Sequence, residues 1–344
     1  MTAKHRSDTA LLLGLAIAAL VVLAASIRFG AIDFSVSDIS SGLLSLIPGR
    51  PEATLDQRIF LELRLPRAVL CMLVGASLGV GGTLMQALFR NPIVEPGLVG
   101  TSSGAALGSA LFFVLGGIFS FGTSFWALPL AACVGGVVST YLVFLLAHSR
   151  EDGRASIVLL LLTGLAINAL CMSAIGFLSY LARDPQARSI TFWSLGTMSG
   201  ASWRAVYVVA LTTITGTLIA LRHGKQLNAL MIGEEEATYL GVNVSRLKWI
   251  ILSINVVIVA VATAFVGVIS FVGLIVPHIL RMMKGSDNRF LIAGSALLGA
   301  VILTLADLAA RMVLRPAELP IGVVTSAVGV PIFLYLLRRR QYVF

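Results

Sequence analysis

GKQLNALMIGEEEATYLGVNVSRLK, residues 224–248, is a long polar segment set between two strongly apolar halves. Leu227, Leu230 and Met231, then Ala237 and Leu240, recur at helical spacings on either side of Gly233. This spacing predicts two short amphipathic helices hinged at Gly233, with Gly241 as a C-terminal cap. Glu234, Glu235 and Glu236 open the second helix, where carboxylates favour the positive end of its dipole. A helical pair this short cannot span a bilayer, so it is expected to lie at the membrane surface against a neighbour.

Working outward, the flanks are apolar enough to set the class. Of 344 residues, 58% are hydrophobic and 12% charged, against about a quarter charged in soluble proteins. Mean hydropathy is +0.96, and uncharged runs recur, as in a polytopic all-α membrane protein. The net charge of +9 is then a topology signal, since no basic stripe interleaved with aromatics points to nucleic acid. Cys71, Cys133 and Cys171 each sit alone in an apolar run and are read as packing residues.

The hydropathy pattern predicts about ten transmembrane helices. An uncleaved first span covers residues 9–27, followed by an outside stretch whose residues 36–47 are weakly amphipathic and lie along the surface. Span two, 68–89, carries Gly75 and Gly79 at a close-packing interval and ends in NPIVEPGLVG, read as a tight inside turn. Residues 97–147 are too long for one helix and are divided near Gly122 and Pro129; span five is 155–182 and span six 205–221. Residues 183–200 lie outside. Residues 249–280 break at Gly267, Gly273 and Pro277 into spans seven and a short eight. Span nine is 290–310 and span ten 323–337. With this count, Lys4, Arg6, Arg90, Arg150, Arg154, Arg222, Lys225, Arg246, Lys248, Arg281, Lys284, Arg289 and Arg338, Arg339 and Arg340 face the cytoplasm. They are more than half of the 25 basic residues. Residues 68–182 and 249–337 resemble two inverted four-helix repeats with early proline breaks at Pro92 and Pro277. The chain reads as one transmembrane domain, 1–344, containing the cytoplasmic loop 224–248.

No chemistry of its own is legible. There is no Walker A loop, HExxH, GxSxG or paired set of intramembrane carboxylates, which disfavours an intramembrane enzyme and a stand-alone channel or proton-driven carrier. Asp307 is read as the one intramembrane acid, in a structural ion pair with Arg311 one turn away. Asn168 and Asn255 are expected to bond between helices, and His278 to be a helix-break residue.

Five stretches carry a family resemblance: RLPR (64–67), GASLGVGGTLMQALFRNPIVEPGLVGTSSGAALG (75–108), GEEEATYLGV (233–242), GVISFVGLIVPHILR (267–281) and AELPIGVVTSAVGVPIFLYLL (317–337). In this order they resemble permease subunits of type II ABC importers, a family that imports iron-siderophores, haem and vitamin B12. The resemblance implies a homodimer in the bacterial inner membrane, with two cytoplasmic ATPase subunits carrying ATP and Mg, and a periplasmic binding protein outside. It implies no cofactor and no metal held by this chain. It places ATPase coupling on Gly233, Glu234, Glu235, Glu236, Ala237, Leu240 and Gly241, and binding-protein docking on Arg64, Arg67 and Arg311.

The outside segment 188–196, with Gly200, Ala201 and Trp203, resembles haem permeases more than siderophore or cobalamin ones. Haem is flat, largely apolar and carries two propionates, so its path wants apolar walls and no axial ligand. The four histidines, His5, His148, His223 and His278, fall near the cytoplasmic side and are expected not to bind iron. Tyr180, Arg183, Arg188, Phe192, Trp193 and Met198 form the expected outer gate, with Arg183 and Arg188 attracting propionates. Haem is the expected substrate, with vitamin B12 or a siderophore as the alternative.

Overall fold

A computed structural model describes residues 3–30, 34–44, 54–116, 124–147 and 157–338. The expected division at Gly122, the inside loop with His148, Arg150 and Arg154, and the terminal Arg339 and Arg340 lie outside the described residues. So do the side chains of Lys4, His5 and Arg6. Within the described residues all regular structure is helical.

Helix α1 (Ala3–Arg28) crosses first, and α2 (Val36–Leu44) follows as a short amphipathic helix. Helix α3 (Leu55–Ile59) is capped by Thr54 and runs through a π-helical turn (Phe60–Arg64) into α4 (Leu65–Leu88). Then come α5 (Thr101–Leu115), α6 (Ala127–Leu146), α7 (Ile157–Leu181), α8 (Asp184–Ser194) and α9 (Trp203–Arg222). The loop pair is α10 (Gly224–Ile232) and α11 (Glu234–Tyr239), and α12 (Val244–Val266), α13 (Val272–Lys284), α14 (Asn288–Met312) and α15 (Ile321–Arg338) complete the chain. Among the described residues, seven helices are long and apolar enough to cross a membrane: α1, α4, α6, α7, α9, α12 and α14. Helices α5 and α13, of 15 and 13 residues, reach only roughly 20 Å at 1.5 Å per residue, short of a hydrocarbon core of about 30 Å. With α15 they bring the bundle to the expected ten.

Helix α4 is buried along almost its whole length and forms the axis of the bundle. Its glycines decide how closely it is approached. A Cβ on Gly75 would sit 2.3 Å from the Gly299 carbonyl, and one on Gly299 would sit 2.2 Å from the Gly75 carbonyl. Helices α4 and α14 therefore cross backbone to backbone, and Thr83 donates to Ser295 at 2.8 Å beside the crossing. Without a hydrophobic drive between helices in lipid, this close packing is what holds them. Gly299→Leu should cost more than the roughly 1–3 kcal/mol of ordinary overpacking, because backbone and not a side chain must yield. The variant is expected to lose its monodisperse peak in detergent, whereas Gly14→Leu, with nothing within 4 Å of its Cβ position, should keep it.

Each half has a full-length helix, a re-entrant connection and a short helix. In the first, the chain turns after α4 as expected, with Arg90 at φ +49 and the Val94 N–H donating to the Asn91 carbonyl, but residues 89–100 do not stay at the surface. They fold back into the bundle through a 3-10 turn, Pro96–Val99, and Gly100 at φ +88. In the second half the expected break at Pro277 is displaced: Pro277 lies inside α13. The chain bends at Gly267 (φ +75), one of the expected glycines, and at Phe271 (φ +68), where φ is positive. Helix α13 carries the proline in its second turn, and its Gly273 packs directly on Gly82 of α4.

Candidate functional site

The polar loop forms the two predicted helices, and its anchoring is now visible. Leu227 and Leu230 are fully buried, with α10 packed on α4 and α14, and Ala237 of α11 is buried as well. The Asn228 amide donates to Asp287 at 2.8 Å, and its oxygen accepts from the Asn288 backbone at 2.8 Å. This clamps α10 onto the N-cap of α14. Burial alone would raise the Asp287 carboxyl, but hydrogen bonds from Arg289 and Asn228 outweigh it and hold it at about 2. A depressed value means that the clamp is stabilising above the ordinary carboxylate range and is lost only as pH falls through about 2.

Helix α11 begins after Gly233, whose backbone is extended and whose Cβ position is filled by the Glu236 carboxylate. Glu234 pairs with Lys248 of α12 at 2.7 Å. Gly241 (φ +82) closes α11 as predicted, with the Val242 N–H donating to the Ala237 carbonyl at 2.9 Å. The outward face is unexpectedly apolar: Ile232, Tyr239 and Leu240 are 70%, 88% and 66% exposed. Leu240 was legible from spacing; Ile232 and Tyr239 were not, because they lie off the predicted stripe. Their signal is that large apolar side chains stand beside the hinge glycine and the cap.

At the opposite end the three arginines come together with two acids. Arg67 holds Asp307 at 2.9 Å and Glu318 at 2.9 Å, and Arg311 holds Asp307 at 2.9 Å. Arg311 also donates to the Ser26 hydroxyl at 2.7 Å, and Arg64 to the Phe29 carbonyl at 2.7 Å. The Asp307–Arg311 pair is thus as expected, but it is shared with Arg67. The expectation that Arg311 receives a partner's carboxylate is corrected: its side chain is 3% exposed and turned into α1. Buried charges pair internally because their desolvation is otherwise uncompensated.

The expected gate residues divide into two sets. Tyr180, Arg183, Arg188 and Phe192 are exposed around the start and outer face of α8, whereas Trp193 and Met198 are buried. Trp193 packs among Ala105, Ala106, Ile190 and Ala264. The loop after α8 is stitched into its surroundings by backbone bonds. Thr197 donates to the Val266 carbonyl at 2.8 Å, and Ile321 and Gly322 donate to the Gly196 and Leu195 carbonyls at 3.2 and 3.0 Å. The carbonyls ending α8 thereby cap the N-terminus of α15.

Inside the bundle, Asn168 bonds as expected, to Ser103 at 2.5 Å and to the Gly97 carbonyl at 3.3 Å. Asn255 does not: it is fully buried against Gly81, and neither amide atom has a partner among the described residues. Helix backbone around it has already used its own donors and acceptors. Asp307 is not the one acid within the bundle either, because the re-entrant 89–100 connection carries Glu95 inward. His278 is half-buried near the inner face and His223 bonds the Ile219 carbonyl at 2.9 Å. No group of three or more metal-ligating side chains occurs among the described residues.

With this architecture in place, comparison with known proteins is specific. The chain matches the FecCD transport family over residues 17–339 and belongs to it. It is 41% identical over 283 residues to the hemin transport system permease protein HmuU of Yersinia pestis, covering 82% of this chain and 84% of that one. It is 40% identical over 295 residues to the vitamin B12 import system permease protein BtuC of Pectobacterium atrosepticum, covering 85% and 86%. Among solved structures, an inward-facing metal-chelate type ABC transporter superposes with a TM-score of 0.83 at 29% identity, covering 96% of this chain and all of the other. The chain is a multi-pass ABC importer permease of the bacterial inner membrane, without an ATPase site of its own.

Proposed function

We propose that this permease imports haem from the periplasm to the cytoplasm, as a homodimer driven by ATP hydrolysed on two separate cytoplasmic subunits and loaded by a periplasmic binding protein. The observation that carries the coupling is the anchored α10–α11 pair with its exposed Ile232, Tyr239 and Leu240, an apolar tip on an otherwise polar surface. Tips of this kind dock into a cleft on a partner. Glu234 to Glu236 then position the tip and do not themselves form the contact centre. On the outer face, Arg67 and Arg64 border the docking surface for the binding protein, and Arg311 holds the cluster together from within.

For haem the support is the similarity to a hemin permease, together with apolar side chains exposed along α7, such as Leu165, Leu170 and Phe177. The gate is Tyr180, Arg183, Arg188 and Phe192, held down by the buried Trp193 and Met198. Vitamin B12 is the second reading, favoured by the similarity to BtuC permeases. ATP-dependent uptake by the reconstituted complex decides between them. Haem should accumulate and cobalamin should not; His278→Ala should leave haem uptake unchanged. Accumulation of cobalamin alone would replace the substrate, and uptake without the ATPase subunits would remove the importer mechanism.

A further inference from the structure

The two re-entrant connections meet at a carboxylate. Glu95, in the first, accepts a hydrogen bond through Oε2 from the Phe271 backbone N–H at 3.4 Å, where α13 begins. Its other oxygen makes no hydrogen bond among the described residues. Together with α5, α7 and the last residue of α8, the connections enclose a half-open cavity of about 400 Å³. Its polar wall is Glu95, Ser102, Ser103, Asn168, Ser194 and Ser270. Asn168 and Ser103 are spent on each other at 2.5 Å, which leaves the carboxylate and three hydroxyls. Among the described residues no lysine, arginine or histidine lines the cavity, so no cation offsets the carboxylate. Burial pushes the Glu95 carboxyl up and the Phe271 N–H opposes that, and the cavity is negative wherever Glu95 is ionised. The positive end of α13, 13 residues long, favours the ionised carboxylate facing it.

The position of the cavity gives it a role. Ser194 ends α8, directly after the buried Trp193, so the cavity lies immediately behind the proposed gate. On the transport reading above, a substrate that passes α8 meets this wall next. We infer that the cavity is an acidic transit subsite: it takes uncharged or hydrogen-bond-donating groups of a metal chelate and turns its carboxylates away, with Glu95 as the specificity-determining residue. A like charge close by in a low-dielectric space is strongly disfavoured, whereas amides and hydroxyls find acceptors there. For haem the consequence is orientation. The propionates trail toward Arg183 and Arg188 outside, and the apolar edge enters first.

The test compares one chelate with and without a carboxylate in the reconstituted complex: haem against its dimethyl ester, and cobalamin against a derivative with one side-chain amide hydrolysed to the acid. Glu95→Gln keeps the hydrogen-bond acceptor and removes the charge. It should raise the uptake ratio of acid to uncharged form by roughly tenfold relative to wild type, as expected for removing one nearby like charge. Ser270→Asp, which adds a carboxylate to the same wall, should lower that ratio. An unchanged ratio in Glu95→Gln, or equal loss of both forms, would mean that Glu95 only caps α13 and would overturn the subsite. Which pair wild type carries at all is a separate readout and tests the haem assignment alone.

Discussion

Asp307→Ala should lower the stability of the purified permease by about 3–5 kcal/mol, the cost of removing one partner from a buried charge network. Asp307 is shared by Arg67 and Arg311 at 2.9 Å each. Without it, Arg311 stays enclosed between α14 and α1 with only neutral oxygens around it. Gly30 makes room for this site, since a Cβ there would lie 2.8 Å from the Arg311 guanidinium. Glu318 serves as the comparison, being the more exposed acid of the cluster. Glu318→Gln should cost no more than about 1 kcal/mol, the range of exposed ion pairs. Thermal unfolding in detergent reads both, and equal midpoints for the two variants would show that the network carries no stability.

The second large effect concerns the cytoplasmic tip. Tyr239→Asp combined with Leu240→Asp should weaken association with the partner ATPase by roughly 100-fold, about 2.7 kcal/mol, which is the scale of a small interface hot spot. Both side chains are largely exposed in the isolated subunit, so the membrane fold should remain intact. Leu230→Asp should behave differently, because Leu230 is fully buried on the inner face of α10 and its loss disturbs the loop itself. Co-purification of the complex and the melting of the permease alone separate the two cases. Association within a factor of three of wild type in the double variant would move the docking site off this tip.

Much of this molecule is legible in one dimension. The ten spans, the helical pair around Gly233, the cap at Gly241 and the Asp307–Arg311 pair are all local properties, set by hydropathy, by helical spacing and by one glycine in a left-handed turn. Of the two expected proline breaks, Pro92 does fall in the non-helical connection after α4, whereas Pro277 does not mark a break. Pro277 sits in the second turn of α13, where it forfeits one helical hydrogen bond without ending the helix, while the bend occurs where Gly267 and Phe271 take positive φ. A positive φ at a phenylalanine has no signal in the residue itself, because its surroundings impose it.

The sequence by itself determined that this chain is a polytopic helical permease with a surface-lying polar loop, because in lipid every backbone group must be satisfied within its own helix and apolar length shows directly. Its motifs, taken in order, also determined the family. Only the tertiary structure decided which charges are spent and which faces stay free. Arg67 and Asp307 are 240 residues apart in the chain and share one ion pair, so no local pattern could pair them or enclose Arg311. The same folding carried Glu95 from an apparent surface turn into a cavity behind α8, left Asn255 without a partner, and exposed Ile232 and Tyr239 at the tip. Each depends on what packs opposite, which is a property of the assembled bundle and not of any one segment.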